Sequence, residues 1–426
     1  MIDAAGQQAA VAGGEQPGAS PRQQRPRVAL LTRGIAGGGV QVVMLNIARG
    51  LAARDFDVTL LYRARRKEPP PPAGTKAKVL AGYPRFIGRI MAWRADPSAF
   101  PVLARPVLFS LIAPEPLRLL PSLVRYLRSE RPAVLISATT YMNLVAIWAR
   151  DLAGVPTRVV VSEHDHLSQH ISTGRDRGAW RWRYAPALLA RVYPKADAIV
   201  AVSDGVADDL AARTGIDRAR IRTVYNPIVT SDLDARAAAD PAEPWLEPGM
   251  PPVILAAGRL VPKKDFATLL QAFVRVRQTT DARLIILGEG REKRRLQALA
   301  HSLGIAVDLK FAGWTENPYA YMARAAVFAL SSIREGFGNV LVEALACGCP
   351  VVATDCLSGP AEILDGGRYG RLVAPGDVDA FAAALLGTLA ARPDPEPLRQ
   401  RAQMFTVRRT TDAYVDLLEP GVGRAG

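Results

Sequence analysis

Short, unbroken apolar runs recur through the chain, each ending in glycine, a small residue or a polar one. In the first half they are VALLT (28–32), DVTLLY (57–62), AVLISA (133–138), RVVVSE (158–163) and AIVAVSD (198–204). The first is followed by a glycine cluster and a helix-patterned stretch, VQVVMLNIARGLAAR (40–54). Apolar runs too short to be helices, alternating with amphipathic stretches, predict parallel strands whose sheet is covered on both faces. The rhythm breaks between 229 and 252, where ARAAADPAEPWLEPGMPP reads as a linker, and then restarts. VILAAGRL (253–260), LIILGEG (284–290), LKFAGW (309–314), VFALSS (327–332) and PVVATD (350–355) give a second set of strands. The expected fold is α/β: two Rossmann-like βαβ domains facing a cleft. The expected boundaries are a disordered tail at 1–26, a first domain at 27–228, a linker at 229–252, a second domain at 253–404 and a final helix at 405–420.

In open sheets of this kind ligands sit beyond the carboxyl ends of the strands. The loops to read are therefore GGGV (37–40), SEHD (162–165), GRLVPKK (258–264), GEGR (288–291), AGW (312–314) and SSIREGFGN (331–339). The last leads into a predicted helix from Asn339 to about Cys347 that is apolar all round except for Glu343. A buried carboxylate without donors costs several kcal/mol, on the scale of a domain's net stability. Glu343 therefore calls for a ligand hydroxyl, a backbone amide or a base, and it lies one residue out of register for a capping box on Asn339. Glu335 stands on the loop itself. Gly336 and Gly338 permit close backbone approach, and the helix start favours an anion. Arg259 and Lys264 follow a strand together, a fork and a point charge that suit a diphosphate; ordinary surface basicity is the alternative. GGGV could line phosphate oxygens with amides, or be only a tight turn.

SEHDHLSQH holds three of the four histidines, His164, His166 and His170. A metal reading of that spacing is weaker than one cleft-facing imidazole, His164, bonded to a substrate. Cys347, Cys349 and Cys356 lack a fourth ligand for zinc and make a poor disulfide framework, which favours a reducing, cytoplasmic setting.

Charge is unevenly placed. The net charge is +14; residues 1–228 hold 32 basic against 17 acidic residues, and the remainder is nearly balanced. Residues 63–131 alone hold 14 basic and 4 acidic residues, interleaved with Phe100, Leu103, Phe109, Leu111 and Ile112. Such a surface suits nucleic acid, an anionic membrane or an acidic substrate. No helix-turn-helix, finger or RNP pattern accompanies it, so nucleic acid is not expected. The expected role is peripheral docking on the inner face of the cytoplasmic membrane; the apolar window 100–120 is too interrupted to span a bilayer.

Glu335 and Glu343, set in EGFGNVLVEALACGCPVVATD, closely resemble the E-x7-E signature of retaining glycosyltransferases of family 4, which have the GT-B fold. GGGVQ, SEHD, VYNPI (224–228), AAGRLVPKKDFATLLQAF (256–273), LIILGEG, FAGW, SGPAEIL (358–364) and MFTVRRTTDAYVDLL (404–418) resemble further segments of that family, so the likeness covers nearly the whole chain. It implies sugar transfer from a nucleotide-diphosphate sugar, UDP by family frequency, to a glycan or polyprenyl-diphosphate-linked acceptor, with retention and without a metal or other cofactor. Glu335 would bond donor-sugar hydroxyls and Glu343 the ribose. Arg259 and Lys264 would neutralise the departing diphosphate, and His164 would touch the sugar. Gly38 and Gly39 would admit donor and acceptor near the pyrophosphate. Gly258, Gly288, Gly336, Phe337, Gly338, Asn339 and Val340 would line the donor, and Ala312, Gly313 and Trp314 would read the base. Three positions depart from the pattern: no acidic residue follows the 37–39 glycines, Asp265 stands where glycine is usual, and Cys349 replaces a threonine. An epimerase or phosphorylase on the same architecture is the first alternative, and a basic nucleic-acid-binding protein the second.

Overall fold

The computed structural model describes residues 25–35, 37–63, 70–110, 114–172, 179–391 and 393–418. Most of the expected N-terminal tail lies outside them. A seven-stranded sheet has the order β3-β2-β1-β4-β5-β6-β7, and a six-stranded sheet has the order β10-β9-β8-β11-β12-β13. The first comprises β1 (Arg27–Leu31), β2 (Asp57–Tyr62), β3 (Thr75–Val79), β4 (Val134–Ala138), β5 (Arg158–Glu163), β6 (Ala198–Ala201) and β7 (Ile221–Thr223). The second comprises β8 (Val253–Ala257), β9 (Arg283–Leu287), β10 (Leu309–Gly313), β11 (Val327–Leu330), β12 (Val351–Thr354) and β13 (Arg371–Val373). Every strand pairing is parallel.

The central strands β4, β8, β11 and β12 are buried at every residue, which is why they read as unbroken apolar runs. The strand order turns back at β1/β4 in one sheet and at β8/β11 in the other. At such a switch point the following loops diverge to opposite faces and leave a crevice. Arg259 and Lys264 follow β8, and Glu335 follows β11, so the second crevice is lined from both sides by residues singled out above.

The chain crosses between lobes twice, and the crossings are bonded to one another. Ile228 and Val229 amides donate to the Phe405 carbonyl at 2.9 and 3.0 Å, and the Val407 amide donates to the Val229 carbonyl at 3.1 Å. The returning helix Val407–Leu418 packs on the first lobe, where Thr411 occupies the space a side chain at Gly50 would need. The segment expected to be a plain linker is structured. Leu233–Ala238 is a helix with Leu233 buried, Pro244–Leu246 forms a 3-10 turn, and Asn317 of the second lobe donates to the Arg236 carbonyl at 2.8 Å. Its composition hid this helix because Pro, Ala and acidic residues dominate the window while one leucine does the packing. The three cysteines are buried free thiols. Among the described residues no helix is long and apolar enough to cross a membrane.

Candidate active site

Glu335 is buried, at 7% exposure, and is held by two side-chain donors. Lys264 Nζ donates to its Oε1 at 2.5 Å and Ser332 Oγ to the same atom at 2.7 Å. Burial by itself drives this carboxyl's pKa upward, but the Lys264 charge and both hydrogen bonds outweigh it, and the group stays below the usual carboxylate range. It is thus an anion with two fixed donors and lone pairs left for further hydroxyls. Lys264 is held from behind as well, its side chain lying against Gly258. Arg259, one residue after Gly258, is exposed and forms no ion pair among the described residues, so its guanidinium fork is free for a ligand. Gly288 passes so close to this turn that a Cβ there would stand 2.0 Å from the Gly258 carbonyl oxygen, and its φ of 134° is open to glycine alone.

Glu343 presents the opposite case. It lies in the helix Asn339–Ala346 among buried Leu341, Val342, Ala344 and Leu345, and it is half-buried itself. No described residue donates a hydrogen bond to it. Burial pushes its carboxyl up to about 7, against the weaker downward pull of Arg236 and Lys264. Two glutamates in one short segment therefore have pKa values pushed in opposite directions, one satisfied by the protein and one without a hydrogen-bond donor among the described residues.

The first lobe supplies the other wall through close packing. A Cβ at Gly336 would stand 2.1 Å from the His164 carbonyl oxygen, so only glycine lets the signature loop meet the loop after β5. His164 is half-buried, and Ser162 Oγ pairs with its Nε2 at 3.0 Å. Burial depresses its pKa to about 4 in spite of Asp165, so the ring is neutral at physiological pH. His166, the second histidine of the motif, is buried and reaches across to Ser358 Oγ at 2.7 Å. Gly38 caps the helix Gly39–Ala52, and Gly39 faces the Asn339 amide nitrogen, 3.1 Å from where its Cβ would be. Two helix starts, at Gly39 and Asn339, thus confront each other across the cleft. Asn226 Nδ2 donates to Asn339 Oδ1 at 2.8 Å. Phe337 is buried, stacked on Tyr225 at 5.6 Å and edge-on to Phe405. Val340 is half-buried beside it, in the first turn of the Asn339–Ala346 helix. Ala312 and Gly313 end the outer strand β10 and Trp314 follows it, exposed, with the Gly313 carbonyl bonded to the Gly288 amide at 2.6 Å.

Several residues of this region escape sequence reasoning. Glu362 accepts from the backbone amides of Asp204 and Gly205 at 2.8 and 3.0 Å, bracing the start of the helix Asp204–Thr214 from the opposite lobe. Ser203 Oγ donates to the Gly336 carbonyl at 2.8 Å. Glu163, beneath His164, is buried and takes hydrogen bonds from Thr140 and Asn143 at 3.0 and 3.2 Å and from Tyr193, while burial pushes its carboxyl up to about 7. Only Ser332 carried a local signal, three residues before Glu335 and at the end of a strand.

Residues 241–405 match the family described as Glycosyl transferases group 1, and residues 37–232 match Glycosyltransferase Family 4. Together the two matches span most of the chain. The architecture is that of the GT-B proteins. The chain carries a group 1 glycosyltransferase domain, preceded by a Family 4 glycosyltransferase domain. It is 39% identical over 231 residues to an N-acetylgalactosamine-N,N'-diacetylbacillosaminyl-diphospho-undecaprenol 4-alpha-N-acetylgalactosaminyltransferase of Campylobacter jejuni, covering 54% of this chain and 60% of that protein. It is 26% identical over 270 residues to a lipopolysaccharide 1,6-galactosyltransferase of Escherichia coli, covering 62% and 67%. The matched part spans between half and two thirds of the length of such relatives. An Anabaena HepE structure in complex with UDP and glucose superposes with a TM-score of 0.67 at 19% identity, covering 92% of this chain and 99% of that one. The lipopolysaccharide outer core galactosyltransferase WaaB, in its apo form, gives 0.66 at 21%, with the same coverage.

Proposed function

We propose that this protein transfers a sugar from a nucleotide-diphosphate sugar, UDP-linked, to a glycan or polyprenyl-diphosphate-linked acceptor, with retention at the anomeric carbon. The observation that carries this reading is the division of labour between the two signature glutamates around one crevice. Glu335 is an ionised acceptor bonded to Lys264, on the same strand-end loop as the free Arg259, whereas Glu343 is a carboxyl group with no hydrogen-bond donor among the described residues. Glu343 would accept the ribose hydroxyls, recovering the hydrogen bonds it lacks. Arg259 and Lys264 would take up the charge that grows on the diphosphate as the glycosidic bond breaks, a role in which positioned cations supply much of the rate. The amides of Gly338, Asn339 and Val340 would add to it at the helix start, and no metal is then required. Glu335 would hold sugar hydroxyls, and the neutral His164 would bond to the same sugar. Gly38 and Gly39, at the opposing helix start, would leave room for donor and acceptor. The names of the relatives support a lipid-linked acceptor, and the UDP complex of a structural neighbour supports the donor. The protein would then work from the cytoplasm at the inner membrane face.

A thermal-shift panel of nucleotides and nucleotide sugars tests this directly, because a ligand of the folded state raises the melting temperature by mass action. UDP and one UDP-sugar should give the largest shifts, undiminished by EDTA. A panel in which no nucleotide diphosphate stabilises the protein would overturn the proposal.

A further inference from the structure

Five of the twelve exposed large apolar side chains among the described residues lie between positions 86 and 109: Phe86, Ile90, Trp93, Phe100 and Phe109, each 45–69% exposed. Phe86, Ile90 and Trp93 fall at helical spacing on the helix Arg85–Ala95 and so share one face. The opposite face is pinned. Gly88 is buried against the Leu117 carbonyl, where a Cβ would stand at 2.2 Å; Ala92 is buried as well; and Arg89 donates to the Ser110 carbonyl. The helix therefore cannot roll its apolar stripe inward. Phe100 and Phe109 stand edge to face, 6.3 Å apart, and extend the same region. A cluster of aromatic side chains held outward by its own scaffold marks a contact surface.

Charge selects the partner. Arg85 and Arg94 flank the stripe, are exposed, and make no ion pair among the described residues. Arg105 is exposed too and lies over the Tyr184 ring. The sole carboxylate between positions 81 and 110 is Asp96, which is buried and occupied by Lys195 at 2.6 Å and Arg191 at 3.2 Å. The surface thus offers apolar rings and cations with no opposing negative charge. A second copy of the chain would set arginines against arginines across a two-fold axis. A phosphate-bearing bilayer meets both features at once, taking rings at headgroup depth and arginines on phosphates.

Position favours the same partner. β3 runs parallel to its neighbours, so residues 80–84 leave the sheet at the rim that carries the loops after β1, β4 and β5. The helix Arg85–Ala95 begins on that rim, outside the edge strand β3. We propose that Phe86, Ile90 and Trp93, with Phe100, Phe109, Arg85 and Arg94, form a docking surface for anionic lipid that holds the cleft at the membrane. This narrows the broad 63–131 surface considered from charge alone. Leu103 of that set is buried and cannot contribute, and Leu111 and Ile112 lie outside the described residues.

Cosedimentation of the full chain with vesicles tests the proposal without any knowledge of the donor or acceptor. The protein should sediment with vesicles rich in phosphatidylglycerol at low salt and stay in the supernatant with phosphatidylcholine alone. Arg85→Glu with Arg94→Glu should weaken partitioning at least tenfold, since each cation near such a surface contributes about fivefold. The triple change Phe86→Ser, Ile90→Ser, Trp93→Ser should abolish binding while leaving the UDP-induced melting shift and the circular dichroism unchanged. Equal recovery on neutral and anionic vesicles, or unaltered binding by the triple variant, would overturn it. So would a wild-type dimer in light scattering that the triple variant converts to monomer without any vesicle binding by either protein.

Discussion

The two lobes use charge in opposite ways. The first carries the entire positive excess of the chain, yet what it turns toward the cleft is a neutral histidine, backbone groups, glycine and the carboxylate of Asp165, which pairs with Lys263 of the second lobe. The second is close to neutral as a whole, yet it places Arg259, Lys264, Glu335 and Glu343 around one crevice. Net charge reflects what a domain meets at its outer surface, whereas ligand chemistry depends on a few charges that the strand ends bring together. The same contrast recurs within the second lobe, where Glu335 is saturated by the protein and Glu343 is not.

The contrast can be broken most sharply at Glu335. Glu335→Ala should lower turnover of the donor identified by thermal shift by about 10²- to 10³-fold, the scale of losing one positioned electrostatic contact in an active site. The UDP-induced melting shift should change little. Loss of UDP binding with intact turnover would reverse the roles assigned to the two glutamates.

Lys264→Ala should destabilise the fold by about 3 kcal/mol, because it strands a buried carboxylate. Without its cation Glu335 would be driven upward by burial, above its unfolded value. The deficit should therefore be largest at alkaline pH and shrink on acidification, which denaturant titrations at pH 5 and 8 would show.

Glu343→Gln should act in the other direction. The folded-state pKa of Glu343, about 7, lies above the ordinary 4.5, so the folded protein binds a proton more readily than the unfolded chain. The resulting loss of stability develops as pH rises from about 4.5 and is complete above 7. The amide should thus raise stability by about 1–2 kcal/mol at pH 8, allowing for partial exposure, and by almost nothing at pH 4.5. The same variant should lose most of its UDP-induced shift. A variant that gains stability and keeps full UDP affinity would remove Glu343 from the ligand site.

The smallest effect concerns the contact between lobes. Glu362→Gln keeps an acceptor for the Asp204 and Gly205 amides but loses its charge at a helix start. A cost of about 0.5–1 kcal/mol is expected, reduced at high salt.

Much of the fold was legible because parallel strands covered on both faces leave an unmistakable trace, as VILAA and VVAT do. The charged site residues were legible for a related reason: Glu343 is a lone charge in an apolar helix, and Arg259, Lys264 and Glu335 stand in loops that directly follow strands. What stayed hidden depends on partners distant in sequence. Glu163 sits in RVVVSE like any strand-end residue, and its three donors come from positions 140, 143 and 193. Glu362 takes its role from amides about 160 positions away. The apolar spacing of Phe86, Ile90 and Trp93 would equally suit a core-facing helix; the contact of Gly88 with Leu117 decides which way it faces.

The pair of hydrogen-bonded chain crossings at Val229 and Phe405 has a mechanical consequence. Any swing of one lobe against the other must pivot about that knot, and Phe337, two residues from Glu335, packs on Phe405 there. Points near an axle travel least. Lys264 and Glu335 belong to the same lobe, so their contact would ride intact through such a swing while the Arg85–Ala95 helix of the other lobe moved past it.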